Sequence, residues 1–354
     1  MTGHAGSAAD RPQVAASVCR DLEAFAGSYG IALEPLAQSL SLNASEFEDF
    51  DTKISLNRVT RLFEVLATVA GDEAYGLKYG INYRLGGTGA YGYGLINAPT
   101  LRDALEFMIE YYCTVVDLSF VNLEVNVRNA RIEWTYSPIV VQRDQFNDFA
   151  AATVIRALQQ IAGTKWNPKS IELERLAPRE PAPYRKALSS AVQFNRKMNA
   201  IIVPLDALEI PNPNSDRRLF ELMRSQCEAM ASQRPKAPDF PARVKDEILR
   251  QLQQGDINAA RIARLLAVSE RSLQRRMSDH GLTFYKAVEE VRKELSDRLL
   301  HDTKIPLIEI AHRLGFASPS AYTRAAIRWY GHPPRDERMR TERRSAPRDV
   351  NGRS

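Results

Sequence analysis

The feature that most constrains this chain is a helical pattern that occurs twice near its C-terminal end. The first copy spans residues 260–277, and Ile310 and Leu314 of the second copy match Ile262 and Leu266 at a distance of 48 residues. In each copy, two short apolar helical faces are separated by a turn of a few residues, which is typical of a helix-turn-helix. The sequence therefore predicts two such units in a purely helical region.

The second helix of each unit has a clear start and a polar outer face. Ser269 is a good N-cap, and Ser318 followed by Pro319 combines an N-cap with a favourable first helical residue. Arginine can donate two hydrogen bonds to guanine and glutamine can pair with adenine, so the outward positions could read bases in a major groove. The predicted base-reading residues are Arg271, Ser272, Gln274, Arg275, Ser320, Thr323 and Arg324. Arg276 and Arg328 are predicted to hold phosphate.

A long amphipathic helix is predicted between the two units. Phe284, Val288, Val291, Leu295 and Leu299 are spaced by three or four residues, which places them on one helical face. Such a linker helix would fix the two units relative to each other. We expect the two recognition helices to enter successive major grooves, about 34 Å apart.

The charge of the chain is concentrated in its last third. Of the 354 residues, those from Asp239 onward carry 23 Lys and Arg against 16 Asp and Glu, a balance of +7, whereas residues 1–238 carry −2. A basic C-terminal region beside a nearly neutral N-terminal region predicts a polyanionic partner for the former.

Prolines mark the expected domain boundary. The segment SQRPKAPDFP, residues 232–241, contains three prolines between helical patterns and is predicted to be a linker. The predicted organisation is a disordered N-terminus (1–15), a sensing and dimerisation domain (16–231), the linker, a DNA-binding domain (242–338) and a disordered, highly polar tail (339–354).

The N-terminal domain shows both helical and strand patterns, which predicts an α+β fold ahead of the all-α domain. Alternating residues at 123–127 and 132–136 predict a β-hairpin with a turn at Asn129-Ala130. Further strands are expected at 170–174 and 200–203, and helices at 56–69, from Thr100 with Asp103 in a capping position, and at 146–161, 184–189 and 215–231.

The C-terminal region resembles the AraC/XylS type of transcription regulator. The resemblance covers about Asp239 to Arg338, and its most specific segment is IPLIEIAHRLGFASPSAYTRAAIRWYGHPP. Ala326 stands where the family usually has an aromatic residue, and Glu337 where it usually has tyrosine. The resemblance implies binding to double-stranded promoter DNA, with RNA polymerase as a further expected partner.

The N-terminal region resembles the arabinose-binding-like effector domain of one branch of that family, which includes ornithine-utilisation and virulence regulators. The segments AYGYGLINAPTLRDALEFMIEYY and KWNPKSIELERLAP carry this likeness, within about Ala16 to Gln233. It implies control by a small-molecule effector, whose identity it does not fix. Aromatic residues of the predicted hairpin and of the Gly-rich loop could line its pocket or simply belong to the core; they are Tyr91, Tyr93, Phe120, Trp134 and Tyr136.

Other motifs give no evidence of enzymatic chemistry. Gly87-Thr-Gly89-Ala-Tyr-Gly92 fits a dinucleotide fingerprint, but no apolar strand precedes it, so a closely packed loop is the better interpretation. The histidines and the widely spaced Cys19, Cys113 and Cys227 form no metal-ligand or disulfide pattern. We therefore expect no cofactor, no metal and no catalytic residues.

The expected protein is a cytosolic transcription regulator without a secretory signal or membrane span. A homodimer formed through the N-terminal domain is a further expectation. Two alternatives stay open at this point: a ligand-independent architectural DNA-binding protein, and an enzyme fused to a DNA-binding module. A titratable cluster in a deep cleft would favour the enzyme.

Overall fold

The computed structural model describes residues 12–117, 120–137, 139–233, 240–252, 257–302 and 305–345, without the side chains of 301, 302 and 341–345. The chain forms two compact units, and it passes from the first to the second between Arg234 and Pro235, with the short segment 137–141 grouped with the second.

The first unit is mixed α and β. Its helices are α1 Leu22–Gly27, α2 Leu33–Ser39, α3 Leu56–Ala70, α4 Tyr75–Asn82, α5 Ala90–Asn97, α6 Leu101–Tyr111, α7 Asp144–Ala162, α8 Ala182–Ala187 and α9 Arg217–Ser232. Its strands are β1 Gln13–Ala15, β2 Lys53–Ser55, β3 Phe120–Val125, β4 Asn129–Thr135, β5 Ser170–Glu172, β6 Val192–Gln193 and β7 Asn199–Pro204. β1 pairs with β2, and the other strands form a sheet in the order β3-β4-β7-β5-β6, in which β5 and β6 alone are parallel.

Helix α3 matches its predicted range to within one residue, and α6 begins where its sequence predicts. Thr100 Oγ1 accepts a hydrogen bond from the Asp103 amide at 3.1 Å and donates one to the Asp103 carboxylate at 2.6 Å, which confirms the predicted cap of α6. Gly71 ends α3 in a left-handed conformation (φ 63°) that glycine adopts without strain.

The predicted hairpin exists, but its turn lies earlier than predicted. The Asn126 side-chain oxygen accepts hydrogen bonds from the amides of Arg128 and Asn129, both at 2.9 Å. This side-chain turn reverses the chain over residues 126–128, so Asn129 and Ala130 already belong to β4. The predicted turn at Asn129-Ala130 was therefore two to three residues too late in the chain.

Close contact between α4 and α7 forms the centre of the first unit. A Cβ atom on Gly76 would lie 2.0 Å from the Gln145 carbonyl oxygen, and one on Gly80 would lie 2.6 Å from that of Phe149. The glycines, four residues apart on one face of α4, let the two helix backbones touch. Tyr79 stacks on Phe149 beside them, with ring centroids 5.1 Å apart.

Two predicted irregular segments contain regular structure. Val14 in β1 is fully buried and pairs with Ile54, so residues 13–15 belong to the core although 1–15 were predicted to be disordered. The Gly-rich segment 87–92, predicted to be a loop, runs from a 3₁₀ turn at Leu85–Thr88 into α5. Its glycines do permit close packing: a Cβ on Gly92 would lie 2.4 Å from the Leu85 carbonyl oxygen.

Among its described residues, the second compact unit contains helices, turns and loops but no strand. Its helices are α10 Phe240–Gln251, α11 Ala259–Leu265, α12 Glu270–Ser278, α13 Phe284–Asp302, α14 Leu307–Arg313, α15 Pro319–Tyr330 and α16 Pro334–Ser345. Helix α10 includes the last two residues of the predicted linker, because Pro241 falls in its first turn, where no amide hydrogen bond is lost. Helix α16 extends seven residues into the segment predicted to be disordered, and its acidic first turn, Asp336 and Glu337, suits a helix N-terminus. Residues 1–11, 234–239 and 346–354 lie outside the described part of the chain.

Candidate DNA-binding surface and effector cavity

The first helix-turn-helix unit consists of α11, a four-residue turn and α12. Ser269 caps α12 by accepting a hydrogen bond from the Ser272 amide at 3.2 Å. Leu273 and Met277 are fully buried against the rest of the unit, which directs the opposite face of α12 to solvent.

Three of the predicted base-reading residues lie on that exposed face of α12. The side chains of Arg271, Gln274 and Arg275 are exposed and form no hydrogen bond or ion pair with any described residue. Ser272 differs, because its half-buried hydroxyl accepts a hydrogen bond from Ser269 Oγ at 2.9 Å. The face thus presents unpaired donors that suit base edges, with Ser272 positioned at its rim.

The second helix-turn-helix unit consists of α14, a five-residue turn and α15, so its turn is one residue longer than that of the first. Ser318 caps α15 through the Ala321 amide at 3.2 Å, and Tyr322 is buried where the first unit has Leu273. Ser320 and Arg324 are exposed and without polar side-chain partners among the described residues. Thr323 is half-buried and donates to the Pro319 carbonyl oxygen at 3.0 Å, within its own helix.

Both predicted phosphate-binding arginines have partners in the structure. The Arg276 guanidinium lies 4.0 Å from the centre of the Phe240 ring, a cation–π contact that leaves the side chain exposed. Arg328 donates to the Glu289 carboxylate at 2.6 Å, and Trp329 Nε1 donates to the same oxygen at 3.0 Å. These bonds, with that of Arg328 the strongest, lower the pKa of Glu289. The Arg328 guanidinium is therefore paired with Glu289 in this structure.

Linker helix α13 holds the second helix-turn-helix unit through buried polar contacts that the sequence analysis missed. Arg292 donates to the carbonyl oxygens of Leu314 and Gly315 at 2.9 and 2.8 Å, and Ser296 Oγ lies 2.8 Å from Tyr322 Oη. Burial lowers the pKa of Arg292. The sequence did contain one signal for these contacts. Ser296 is a polar residue next to Leu295 and Leu299 on the apolar face of α13, which indicates a buried hydrogen bond.

Two small adjoining cavities lie inside the first compact unit, the mixed α and β part of the chain. One, of about 20 Å³, lies between α6, α7 and the inner face of the sheet, with Trp134 and Ile201 in its wall. The other, of about 40 Å³, lies between α5 and α7, with Tyr91 and Phe146 in its wall. Tyr112, Ala150 and Val154 line both, so the two cavities adjoin at these residues.

The structure brings together two of the five aromatic residues predicted for the effector site. Tyr91 and Trp134 line the cavities, whereas Tyr93 is 48% exposed and lies outside both. Phe120 and Tyr136 are absent from both walls, and Tyr136 packs in the core against Phe146. Alternation along β4 explains the pair Trp134 and Ile132, but nothing in the sequence identifies Ala150 and Val154 of α7 as wall residues.

A buried charged cluster lies elsewhere in the first unit. Arg175 and the Tyr184 hydroxyl both donate to the fully buried Asp148 carboxylate, and burial raises the pKa of Asp148 to about 7. Burial likewise raises the pKa of Glu64 to about 7. These groups line neither of the two cavities, and their contacts join α7 to α8 and to the loop at Arg175. The cluster ties core elements of the first compact unit together.

Two family models match the chain, one in each of its two compact units. Residues 30–212, more than half of the chain, match the arabinose-binding domain of AraC transcription regulators. Residues 262–340 match a helix-turn-helix domain; this range begins within α11 and includes the rest of both helix-turn-helix units. The chain belongs to the AraC family of transcription regulators.

Similar proteins span nearly the same length. The ornithine utilization regulator of Pseudomonas aeruginosa is 26% identical over 88% of this chain and 91% of its own length. The HTH-type transcriptional regulator VirS of Mycobacterium tuberculosis is 25% identical over 81% of this chain and 85% of its own length. The crystal structure of the transcriptional regulator CdpR from P. aeruginosa aligns with a TM-score of 0.42 and 19% identity, over 89% of this chain and 98% of that chain.

Membership in the AraC family establishes a DNA-binding transcription regulator, not an enzyme. The predicted family, fold class and general function are thus confirmed. Within the described residues, no helix is both long and apolar enough to cross a membrane. His, Cys, Asp and Glu side chains in that part of the chain form no group of three that could hold a metal.

Proposed function

We propose that this regulator binds promoter DNA sequence-specifically under the control of a small molecule held in its first unit. The observation that carries the proposal is the pair of capped recognition helices, α12 and α15, whose outward Arg271, Arg275 and Arg324 have no partner among the described residues. Residues 242–338 bind DNA in this proposal, and residues 16–231 sense the effector.

Base reading is assigned to the outward residues of both helices. Arg271, Arg275 and Arg324 each suit a bidentate contact to guanine, and Gln274 suits adenine. Ser272, Ser320 and Thr323 add shorter contacts at the edges of the two faces. Arg276, and Arg328 once it leaves Glu289, bind phosphate and place the helices in their grooves.

Effector control is assigned to the two adjoining cavities of the first unit. A ligand that enters them separates α7 from α5, α6 or the sheet, so it binds one arrangement of these elements better than another. A ligand with such differential affinity shifts the population of DNA-competent molecules. We further propose that the first unit forms a homodimer and that the DNA-bound protein contacts RNA polymerase.

The test begins with an operator selected by the full chain from a pool of random DNA sequences. The affinity for this operator is expected to exceed that for unrelated DNA by at least about a thousandfold and to fall steeply with salt as counterions are released. Compounds that raise the melting temperature of the full chain are then added to the operator titration.

Each half of the proposal has its own contradicting result. If no sequence is enriched in the selection, the assignment of base-reading helices is wrong. If no stabilising compound changes operator affinity, the protein acts as a ligand-independent DNA-binding protein.

A further inference from the structure

The turn of the second helix-turn-helix unit is contacted from two sides, by α13 and by the end of α10. The Arg292 guanidinium donates to the carbonyl oxygens of Leu314 and Gly315. It also lies 4.5 Å from the centre of the Phe316 ring. From the other side, the carbonyl oxygen of Leu252, directly after α10, would lie 3.0 Å from a Cβ atom on Gly315. We call this set of contacts the joint.

The joint connects the second helix-turn-helix unit to the first. Gln251, which precedes Leu252, accepts a hydrogen bond from Arg261 of α11 at 2.8 Å. The other end of α10 contacts α12 through the cation–π pair described above. Helix α10 is therefore bound to the first helix-turn-helix unit at both of its ends. Its contact with Gly315 links that unit to the turn that precedes α15.

The equivalent turn of the first helix-turn-helix unit has no such contacts. Leu266 and Ala267 match Leu314 and Gly315 in the repeat, and no described side chain donates a hydrogen bond to their carbonyl oxygens. Ala267 and Gly315 both have positive φ, so backbone conformation alone does not explain the glycine. A Cβ at position 315 would also meet the Leu252 carbonyl oxygen. The two copies of the pattern thus differ at the joint.

The chemistry of Arg292 suits a residue that fixes the turn in one place. Its half-buried side chain forms no ion pair with any described residue, so the two carbonyl oxygens and the Phe316 ring offset its lost hydration. Carbonyl groups at the end of a helix lack partners within the helix, and arginine side chains can satisfy them. The planar guanidinium binds two such oxygens in a defined geometry, which a lysine ammonium does not.

We propose that Arg292 is a positioning residue that fixes α15 relative to α12 and thereby sets the spacing of half-sites that the protein accepts in its operator. The inference rests on the proposed function, because it requires that both helices read bases. With the joint closed, the second helix-turn-helix unit is already oriented when the first has bound, so little conformational entropy is lost at the second half-site. Loosening the joint keeps both reading helices but removes their fixed spacing.

Arg292→Met in the full chain tests this inference on the operator selected above. Methionine keeps an unbranched apolar stem and removes the donors. One base pair is inserted between the half-sites, which turns one of them by about 35° and shifts it by about 3.4 Å. We expect the insertion to weaken binding of the wild type about 30-fold, because base contacts are lost, and that of Arg292→Met only about threefold. At the original spacing, Arg292→Met should bind about tenfold more weakly than the wild type.

Scrambling each half-site in turn separates a misplaced second helix-turn-helix unit from an unfolded one. In Arg292→Met, scrambling either half-site should still lower affinity about tenfold, whereas an unfolded unit would leave one half-site without effect. Arg298→Met is the matched control, because this half-buried arginine pairs with Glu294 of the same helix at 3.3 Å. It should keep the spacing preference of the wild type.

Two further variants change the joint differently. Arg292→Lys keeps the charge but not the paired donors, so its insertion penalty should lie between those of the wild type and Arg292→Met. Gly315→Ala adds a Cβ against the Leu252 carbonyl oxygen and should reduce the insertion penalty while Arg292 is retained. Thermal unfolding shows whether each variant is folded. Should Arg292→Met fail to fold, Gly315→Ala takes its place in every comparison.

The inference is overturned if Arg292→Met keeps the insertion penalty of the wild type, or if Arg298→Met loses it equally. It is also overturned if scrambling one half-site has no effect in both Arg292→Met and Gly315→Ala, because the joint then only keeps the second helix-turn-helix unit folded. In these cases the proposed base reading stands. An operator with a single block of recognised bases would overturn the inference and leave sequence-specific binding intact. If no operator is selected at all, base reading fails and the inference fails with it.

Discussion

The two helix-turn-helix units share a sequence plan but are held in place by different contacts. The first helix-turn-helix unit contacts α10: Arg276 lies over the Phe240 ring, and Arg261 donates a hydrogen bond to Gln251 at 2.8 Å. The second unit is tied to linker helix α13, where Arg292 binds two carbonyl oxygens of its turn and Ser296 binds Tyr322.

The outward faces differ in the same sense. In α12, Arg271, Gln274 and Arg275 are unpaired within the described structure, and Ser272 bonds to Ser269. In α15, Ser320 and Arg324 are unpaired within it, while Thr323 bonds to its own helix and Arg328 pairs with Glu289. The duplicated pattern thus preserves caps and apolar faces and leaves the polar contacts to diverge. We infer that the first helix-turn-helix unit makes more contacts to bases, and that the second helix-turn-helix unit is held more firmly against α13.

The largest expected effect tests whether α13 holds the two units at one separation. Inserting five base pairs between the two half-sites of the selected operator turns one of them away by about half a helical turn. Several base contacts of 1–3 kcal/mol each are then lost, so affinity should fall at least about 100-fold. A ten-base-pair insertion restores the angle but not the distance, and should fail as well. Recovery of affinity with ten base pairs would show that the units move independently.

Next in size is the loss of single base contacts. Arg275→Ala and Arg324→Ala should each weaken operator binding by about 1–3 kcal/mol if the side chain is bidentate to guanine. Each should act at a different half-site, which operators with one altered half can show. Arg243→Ala, an exposed arginine of α10, is the control. Equal losses on operator and unrelated DNA would place these residues on phosphate instead.

A smaller effect is expected from releasing Arg328. Glu289→Gln removes the carboxylate that holds this arginine, so affinity for unrelated DNA should rise about three- to fivefold, with a steeper salt dependence from one additional phosphate contact. Glu290→Gln removes the same charge from α13 but breaks the pair with Lys245 (2.7 Å) instead. If both variants behave alike, Arg328 plays no separate role in phosphate binding.

The smallest effect concerns the turns of the two units. Ala267 in the first turn and Gly315 in the second both have a left-handed backbone, with φ of 54° and 67°. A Cβ is disfavoured there, so Ala267→Gly should raise the free energy of unfolding by about 0.5–1 kcal/mol in urea denaturation. Ala260→Gly, in ordinary helical backbone of α11, should lower it by a similar amount. A destabilising Ala267→Gly would contradict the equivalence of the two turns.

Local signals were sufficient wherever neighbouring residues decide the structure. The N-caps Thr100, Ser269 and Ser318 and the apolar spacing of α3 and α13 are contained within a few turns of chain, and the structure confirms them. The hairpin turn failed because the Asn126 side chain, rather than the Asn129-Ala130 pair, organises the reversal.

By itself, the sequence determined the fold class, the two helix-turn-helix units and most of the exposed residues of α12 and α15, because helical period and capping are short-range properties. Tertiary structure decided which of those residues are unpaired: Glu289 meets Arg328 from 39 residues away. It also decided the two cavities, since Trp134 on β4 lines one and Tyr91 on α5 the other, each together with Ala150 and Val154 of α7, only after the chain has folded. Contacts between distant segments depend on packing, which no local pattern encodes.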